Sequence, residues 1–136
     1  MARRVSRRLA FTLIFQADFG QPIDYARAIA ELGPKADPEY VQATVESVLA
    51  RREALDQIIA EFTRGWTPSR LSRVDRALLR LGAWELLGTE IPPAVAINEA
   101  VELAKAYGSV DSPAFINGVL DSIRRRREDL APRLEG

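Results

Sequence analysis

Apolar side chains recur at helical spacing from one end of this chain to the other, and nowhere do they alternate at strand spacing. Val5, Leu9, Leu13 and Ala17 form one i, i+4 row, with Ala10 and Ile14 beside it. Gly20-Gln21-Pro22 stops that helix, and a short amphipathic piece from Ile23 to Leu32 follows, with Tyr25, Ile29 and Leu32 as its apolar row. The stretch from Gly33 to Pro38 is a loop by composition. Asp37, Pro38 and Glu39 then have the chemistry of an N-cap, an N1 proline and a first-turn acid. Val41, Val45, Val48, Leu49, Leu55, Ile58, Ile59 and Phe62 predict one long helix running to Gly65.

Gly65-Trp66-Thr67-Pro68-Ser69 is the strongest internal break. It divides a single domain of residues 1–136 into sub-bundles of about 1–64 and 65–136. Beyond it, Leu71, Val74, Leu78, Leu79, Leu81, Trp84, Leu86 and Leu87 make a helix so apolar that it belongs near the centre of the fold. Pro92-Pro93 and Gly108 bracket the next helix. In the last, Ser112 reads as N-cap and Pro113 as N1, ahead of an apolar stripe of Ile116, Val119, Leu120 and Ile123. The fold class expected is all-α, with six or seven helices in two packed sub-bundles.

Composition narrows function mainly by what is missing. The chain has no Cys and no His, so a thiol nucleophile, a zinc–thiolate site and an imidazole base are excluded. Glu99 and Glu102 fall short of a carboxylate metal set and are better explained by the helix dipole, with Glu102 and Lys105 as an i, i+3 pair. No catalytic residue, metal site or cofactor is expected. No apolar run approaches a membrane span of about 18 residues, and the opening MARRVSRR lacks the form of a secretory signal, so the cytoplasm is the expected location. A helix-turn-helix DNA reader would need a polar recognition helix, which neither helix after Gly65 or Gly108 supplies.

Nineteen cations balance nineteen acids, but they are segregated. Seventeen of the cations are Arg, the residue best suited to planar phosphate and base contacts. The first seventeen residues carry Arg3, Arg4, Arg7 and Arg8 and no acid. On a helical wheel Arg4 and Arg8 share a face with Phe11, Phe15 and Phe19, opposite the Val5–Leu9–Leu13 row. Such a face either buries against another helix or serves as a partner or RNA surface. Arg124 to Arg127 form a second block, which complements the dipole at the end of the last helix. Arg70, Arg73, Arg76 and Arg80, with Asp75 and Glu85 nearby, read as mostly solvated ion pairs. The start of the last helix offers amides to an anion, with Phe115 at the edge of its stripe.

Three segments together resemble the NusB family of bacterial transcription antitermination factors: RRVSRRLAFTLIFQAD, VDRALLRLGAWELL, and IPPAVAINEAVELAKAYGSVDSPAFINGVLD. The last is the most specific, because its residues and its intervals both match. The resemblance implies an all-α fold of two three-helix units. It further implies binding of boxA-type single-stranded RNA in nascent rRNA leader transcripts, jointly with a small-subunit ribosomal protein (NusE), on an RNA polymerase elongation complex that carries other Nus factors. No membrane partner is implied. By residue match, the RNA surface would include Arg3, Arg4, Arg7, Asp111, Ser112 and Phe115, and the protein-partner surface Phe15 and Glu85. Arg8 stands where the family usually has an acid and is carried as an additional RNA candidate. Phe15 stands where an aromatic, often Tyr, is usual. As a carboxylate on a very apolar helix, Glu85 is expected at an exposed interface position. The competing function is an all-α protein–protein adaptor that does not bind RNA directly.

Overall fold

The computed structural model describes residues 2–65 and 71–135, with side chains from Arg4 onward. Among these residues the chain forms eight α-helices and a terminal 3-10 helix, and no strand. The helical periodicity is thus realised, with more helices than the six or seven expected. The chain clusters into two compact units, Met1–Ala50 and Arg51–Gly136. The Gly65 break therefore lies within the second unit, and residues 66–70, which include Arg70, lie outside the described residues.

The first unit holds α1 (Ala2–Ala17), α2 (Tyr25–Leu32) and α3 (Pro38–Ala50). α1 packs chiefly on α3, and α2 leans on both. Leu9, Leu13 and Ile14 of α1 and Val41, Val45 and Val48 of α3 are buried. The ends are set by local chemistry. Gly20, at φ 77°, turns the chain after α1 in the left-handed region that favours glycine. Asp24 Oδ1 accepts the Arg27 amide at 3.1 Å and so caps α2. Asp37 Oδ1 accepts the amides of Glu39 and Tyr40, the cap expected for α3. Ser6 Oγ accepts the Asp37 amide at 2.8 Å, tying α1 to the start of α3.

The second unit holds α4 (Arg52–Phe62), α5 (Arg73–Gly88), α6 (Pro93–Tyr107), α7 (Ser112–Arg125), the single turn α8 (Arg127–Leu130) and the 3-10 helix Ala131–Leu134. The one long helix expected up to Gly65 is two, α3 and α4. Arg51, at φ −109° and ψ 14°, interrupts it without a Gly or Pro. Val48 and Leu55 keep helical phase across the interruption, two turns apart, so periodicity carries no trace of it. The contacts at Arg51 are long-range ones: its Nε donates to the Leu134 carbonyl at 3.2 Å and its guanidinium lies 4.6 Å from the Trp84 ring centre.

α5 is the central helix of this unit and touches α4, α6, α7, α8 and the 3-10 helix. Every residue from Ala77 to Ala83 is buried. At Gly82 an added Cβ would stand 2.7 Å from Leu120 Cδ1, so the absence of a side chain lets α7 pack closely on α5 here. Among the described residues no helix is long and apolar enough to cross a membrane.

Candidate functional site

The basic face of α1 is narrower than the sequence suggests. Arg4 and Arg8 are exposed, but Arg7 is 5% exposed, so it is not the solvated phosphate contact expected of it. The reason is helical phase. Arg7 sits one turn before Phe11 and two before Ile14, and both are buried. Phe11 likewise leaves the Arg4–Arg8 face and joins the core. The Arg3 side chain lies outside the described residues. The end of the row opens gradually, with Phe15 half-buried and Phe19 52% exposed. Their rings meet edge to face at 5.3 Å, a favourable aromatic geometry.

In the second unit the start of α7 is a built turn. α7 begins at Ser112, with Asp111 in the cap position and making no side-chain cap bond, so Ser112 is not the N-cap. Instead, Ser112 Oγ accepts the Ser109 amide at 3.0 Å and lies 3.2 Å from Ser109 Oγ, with Ser112 itself 1% exposed. Gly108 makes this turn possible, since a Cβ there would stand 2.6 Å from Ser112 Cβ and 2.9 Å from the Ala104 carbonyl oxygen. Asp111 is exposed, whereas Phe115 is 8% exposed, on the core side of the edge position expected.

Asp111, Ser112 and Phe115 share the wall of a cavity of about 810 Å³. α4 and the residues after it contribute Asp56, Thr63 and Arg64, and α5 contributes Asp75, Arg76 and Arg80. Arg80 is not a solvated ion-pair member as expected. It is 5% exposed and donates through Nε and a terminal nitrogen to both oxygens of Asp56, each at 2.8 Å. This bidentate geometry is what makes a buried guanidinium tolerable. Arg64 and Arg76 are left as the other cations of the wall. Asp75 is 6% exposed; Ser72 Oγ accepts its amide at 3.0 Å, capping α5. Arg64 and Asp75 escaped the sequence reading as site residues. The Ser72-x-x-Asp75 spacing is a helix-start pattern and carries no signal for a site.

Glu85 is 1% exposed, so the expected exposed interface position is corrected. α5 packs against α4, α6, α7, α8 and the 3-10 helix, and Glu85 lies on its buried part together with Ala83, Leu86 and Leu87. Arg124, Arg125 and Arg126 of the second block engage residues of their own unit. Arg124 and Arg125 pair with Asp121 at 2.7 and 3.1 Å, and the Arg126 guanidinium lies 5.9 Å from the Phe62 ring centre. Hydrogen bonding from Arg124 is the main cause that holds the Asp121 carboxyl below its ordinary range.

Comparison with known proteins adds independent evidence. The family model described as "NusB family" matches residues 4–125. A protein of Saccharopolyspora erythraea called "Transcription antitermination protein NusB" is 41% identical over 140 residues, covering 99% of this chain and 95% of the relative. The solved structure of NusB from T. maritima superposes with a TM-score of 0.80 at 32% identity, over 94% of this chain and 95% of that one. A chain in the crystal structure of a plectonemic RNA supercoil superposes with a TM-score of 0.78 at 28% identity, over 92% of this chain and 95% of that one. Family match, near full-length identity and shared helical fold agree, and the chain belongs to the NusB family.

Proposed function

We propose that this protein is an RNA-binding transcription antitermination factor. It binds boxA-type single-stranded RNA in nascent rRNA leader transcripts together with the small-subunit ribosomal protein NusE, and it acts on elongating RNA polymerase with other Nus factors in the cytoplasm. It positions partners and catalyses no reaction. The observation that carries this reading is the near full-length match to a relative whose name is that function. The likeness to a chain solved with an RNA supercoil supports an RNA ligand.

The residues supply the physical means. Arg4 and Arg8 offer exposed cations to phosphates, and Asp111, Ser112 and Phe115 gather at a cavity that also carries Arg64 and Arg76. Single-stranded RNA is held by this combination of cations, aromatic faces and helix starts. Phe15 and the exposed Phe19 form the surface proposed for the ribosomal protein. Glu85, 1% exposed within the second unit, presents no exposed carboxylate to that partner.

The test is a titration of a boxA-type RNA, with and without the ribosomal protein. RNA binding alone, strengthened by that protein, is the expected result. By linkage, RNA then raises affinity for the protein by the same factor. Binding of the ribosomal protein with no RNA affinity under either condition would leave the adaptor reading in its place.

A further inference from the structure

Among the described residues, Asp75 Oδ1 is the buried side-chain polar atom that has no hydrogen-bond partner. A carboxylate oxygen in that state costs stability, because it has lost water and gained no donor. Its place at the start of α5 accounts for an acid, through the helix dipole. It does not account for the empty acceptor: the Ser72 hydroxyl accepts the Asp75 amide, and Asp75 Oδ1 makes no return bond. Arg80, which lines the same cavity, donates through two of its nitrogens to both oxygens of Asp56.

Asp75 lines the 810 Å³ cavity together with Phe115, Arg64 and Arg76. That volume falls within the range of about 300–1,000 Å³ that seats small ligands. A buried acceptor, an aromatic ring and cations at one cavity are the elements that hold a nucleotide: donors on the base, a stacking face, and a phosphate. The base can be named from its edge. Guanine presents N1–H and the N2 amino group side by side, two parallel donors that match the two oxygens of one carboxylate. Adenine and cytosine set a ring acceptor beside their single amino group, and uracil flanks its one N–H with two carbonyls. Each would point an acceptor at Asp75.

We infer that this cavity of the second unit seats a guanine of the bound single-stranded RNA, and that the Asp75 carboxylate is the residue that reads it. The inference rests on the RNA-binding reading above and adds to it a base preference and the residue that sets it.

The experiment uses the full chain and a boxA-type RNA oligomer with guanines at several positions, followed by fluorescence anisotropy at constant salt. Each guanine is replaced singly by inosine, which lacks only the N2 amino group. One replacement should weaken binding to the unmodified protein by about tenfold, as loss of a hydrogen bond to a charged group does. The others should change it less than about twofold. Asp75→Asn keeps the side-chain shape but removes the charge and turns one acceptor into a donor. It should weaken binding of the all-guanine RNA to a similar degree and reduce the inosine penalty at the sensitive position to less than about twofold. The inosine scan on the unmodified protein needs no variant to fold. RNA binding that no single inosine disturbs, or an inosine penalty unchanged in Asp75→Asn, overturns this inference and leaves the RNA reading standing. Failure of the unmodified protein to bind RNA, with the ribosomal protein present, overturns both.

Discussion

Arginine blocks sit near both ends of this chain, and their surroundings are opposite. In the first unit, Arg4 and Arg8 occupy the opening turns of α1, which has no acid in its first turn. In the second unit, Arg124 and Arg125 occupy the last turn of α7 and pair with Asp121. The helix dipole favours cations at a C-terminus by about 0.3–1 kcal/mol each and disfavours them at an N-terminus. The dipole therefore favours Arg124 and Arg125 and disfavours Arg4 in the first turn of α1. The contrast extends beyond the blocks. In the second unit Arg51, Arg80, Arg126 and Arg133 all engage partners on other elements of that unit. The dipole gives the α1 cations no such support, and RNA phosphate is the ligand that the proposed function would bring to them.

If the second unit's arginines are structural, removing their partners must cost stability, and the largest cost falls where burial is deepest. Asp56→Ala removes the bidentate partner of the buried Arg80 guanidinium. It should destabilise by about 3 kcal/mol, the low end for a broken buried pair because the Asp56 side chain is 41% exposed. Arg80→Met leaves only a half-solvated carboxylate and should cost about 1 kcal/mol. Urea unfolding of both variants checks the order. A reversed order would mean that Asp56, not Arg80, depends on the pair.

The first unit should answer to binding instead. Phe15→Ala should weaken affinity for the ribosomal protein by about 2 kcal/mol in calorimetry, as loss of an aromatic anchor does, while RNA binding by the free protein stays unchanged. Glu85→Lys would be a poor probe of the same surface, because a lysine in that buried position reports on folding. Next in size, Arg4→Ala with Arg8→Ala should weaken RNA binding roughly tenfold and flatten the salt dependence by about 0.7 per lost phosphate contact. Its melting temperature should hold or rise, since two cations leave a helix N-terminus. Arg124→Ala with Arg125→Ala should do the reverse, losing about 0.5 kcal/mol of stability and no RNA affinity. If RNA affinity falls in the second pair and not the first, the contrast between the units is inverted.

Elements and caps were legible in the sequence where a local rule controls them. The apolar rows, the Asp37 cap, the stops at Gly20 and Gly108 and the centrality of α5 all follow from spacing and backbone preference. What was not legible depends on contacts distant along the chain. The break at Arg51 preserves helical phase, and the partners of that residue, Trp84 and the Leu134 carbonyl, are remote in sequence. Arg7 and Glu85 were read as exposed because charge usually is, and Arg80 as solvated for the same reason. The cavity was half visible. Asp111, Ser112 and Phe115 came from the resemblance to the family, whereas Arg64 and Asp75 reach it only through the packing of α4 and α5 near the start of α7.

The smallest expected effect is one of acid. Glu61 pairs with Arg133 across the end of the second unit, and that hydrogen bond, ahead of the charges of Arg133, Arg64 and Arg126, holds its carboxyl below the ordinary glutamate range. A carboxyl depressed in the folded state contributes stability that is fully present above its unfolded value, near pH 4.3, and is lost as pH falls through the lower folded value. The Arg133 guanidinium is shifted upward and stays charged throughout. Acid should therefore release the 3-10 helix Ala131–Leu134 from α4 before it disturbs the first unit, where Arg27 and Glu31 pair only on an exposed face of α2. Hydrogen exchange at pH 7, 5 and 3.5 reads this directly. The amides of the C-terminal turns should lose protection first, with those of α1 and α3 unchanged. Glu61→Gln should exchange at pH 7 much as the wild type does at low pH, and with less further change on acidification. Equal acid sensitivity in wild type and Glu61→Gln would mean that this pair holds nothing, and that the second unit's surface arginines matter no more to its fold than Arg4 and Arg8 do to the first.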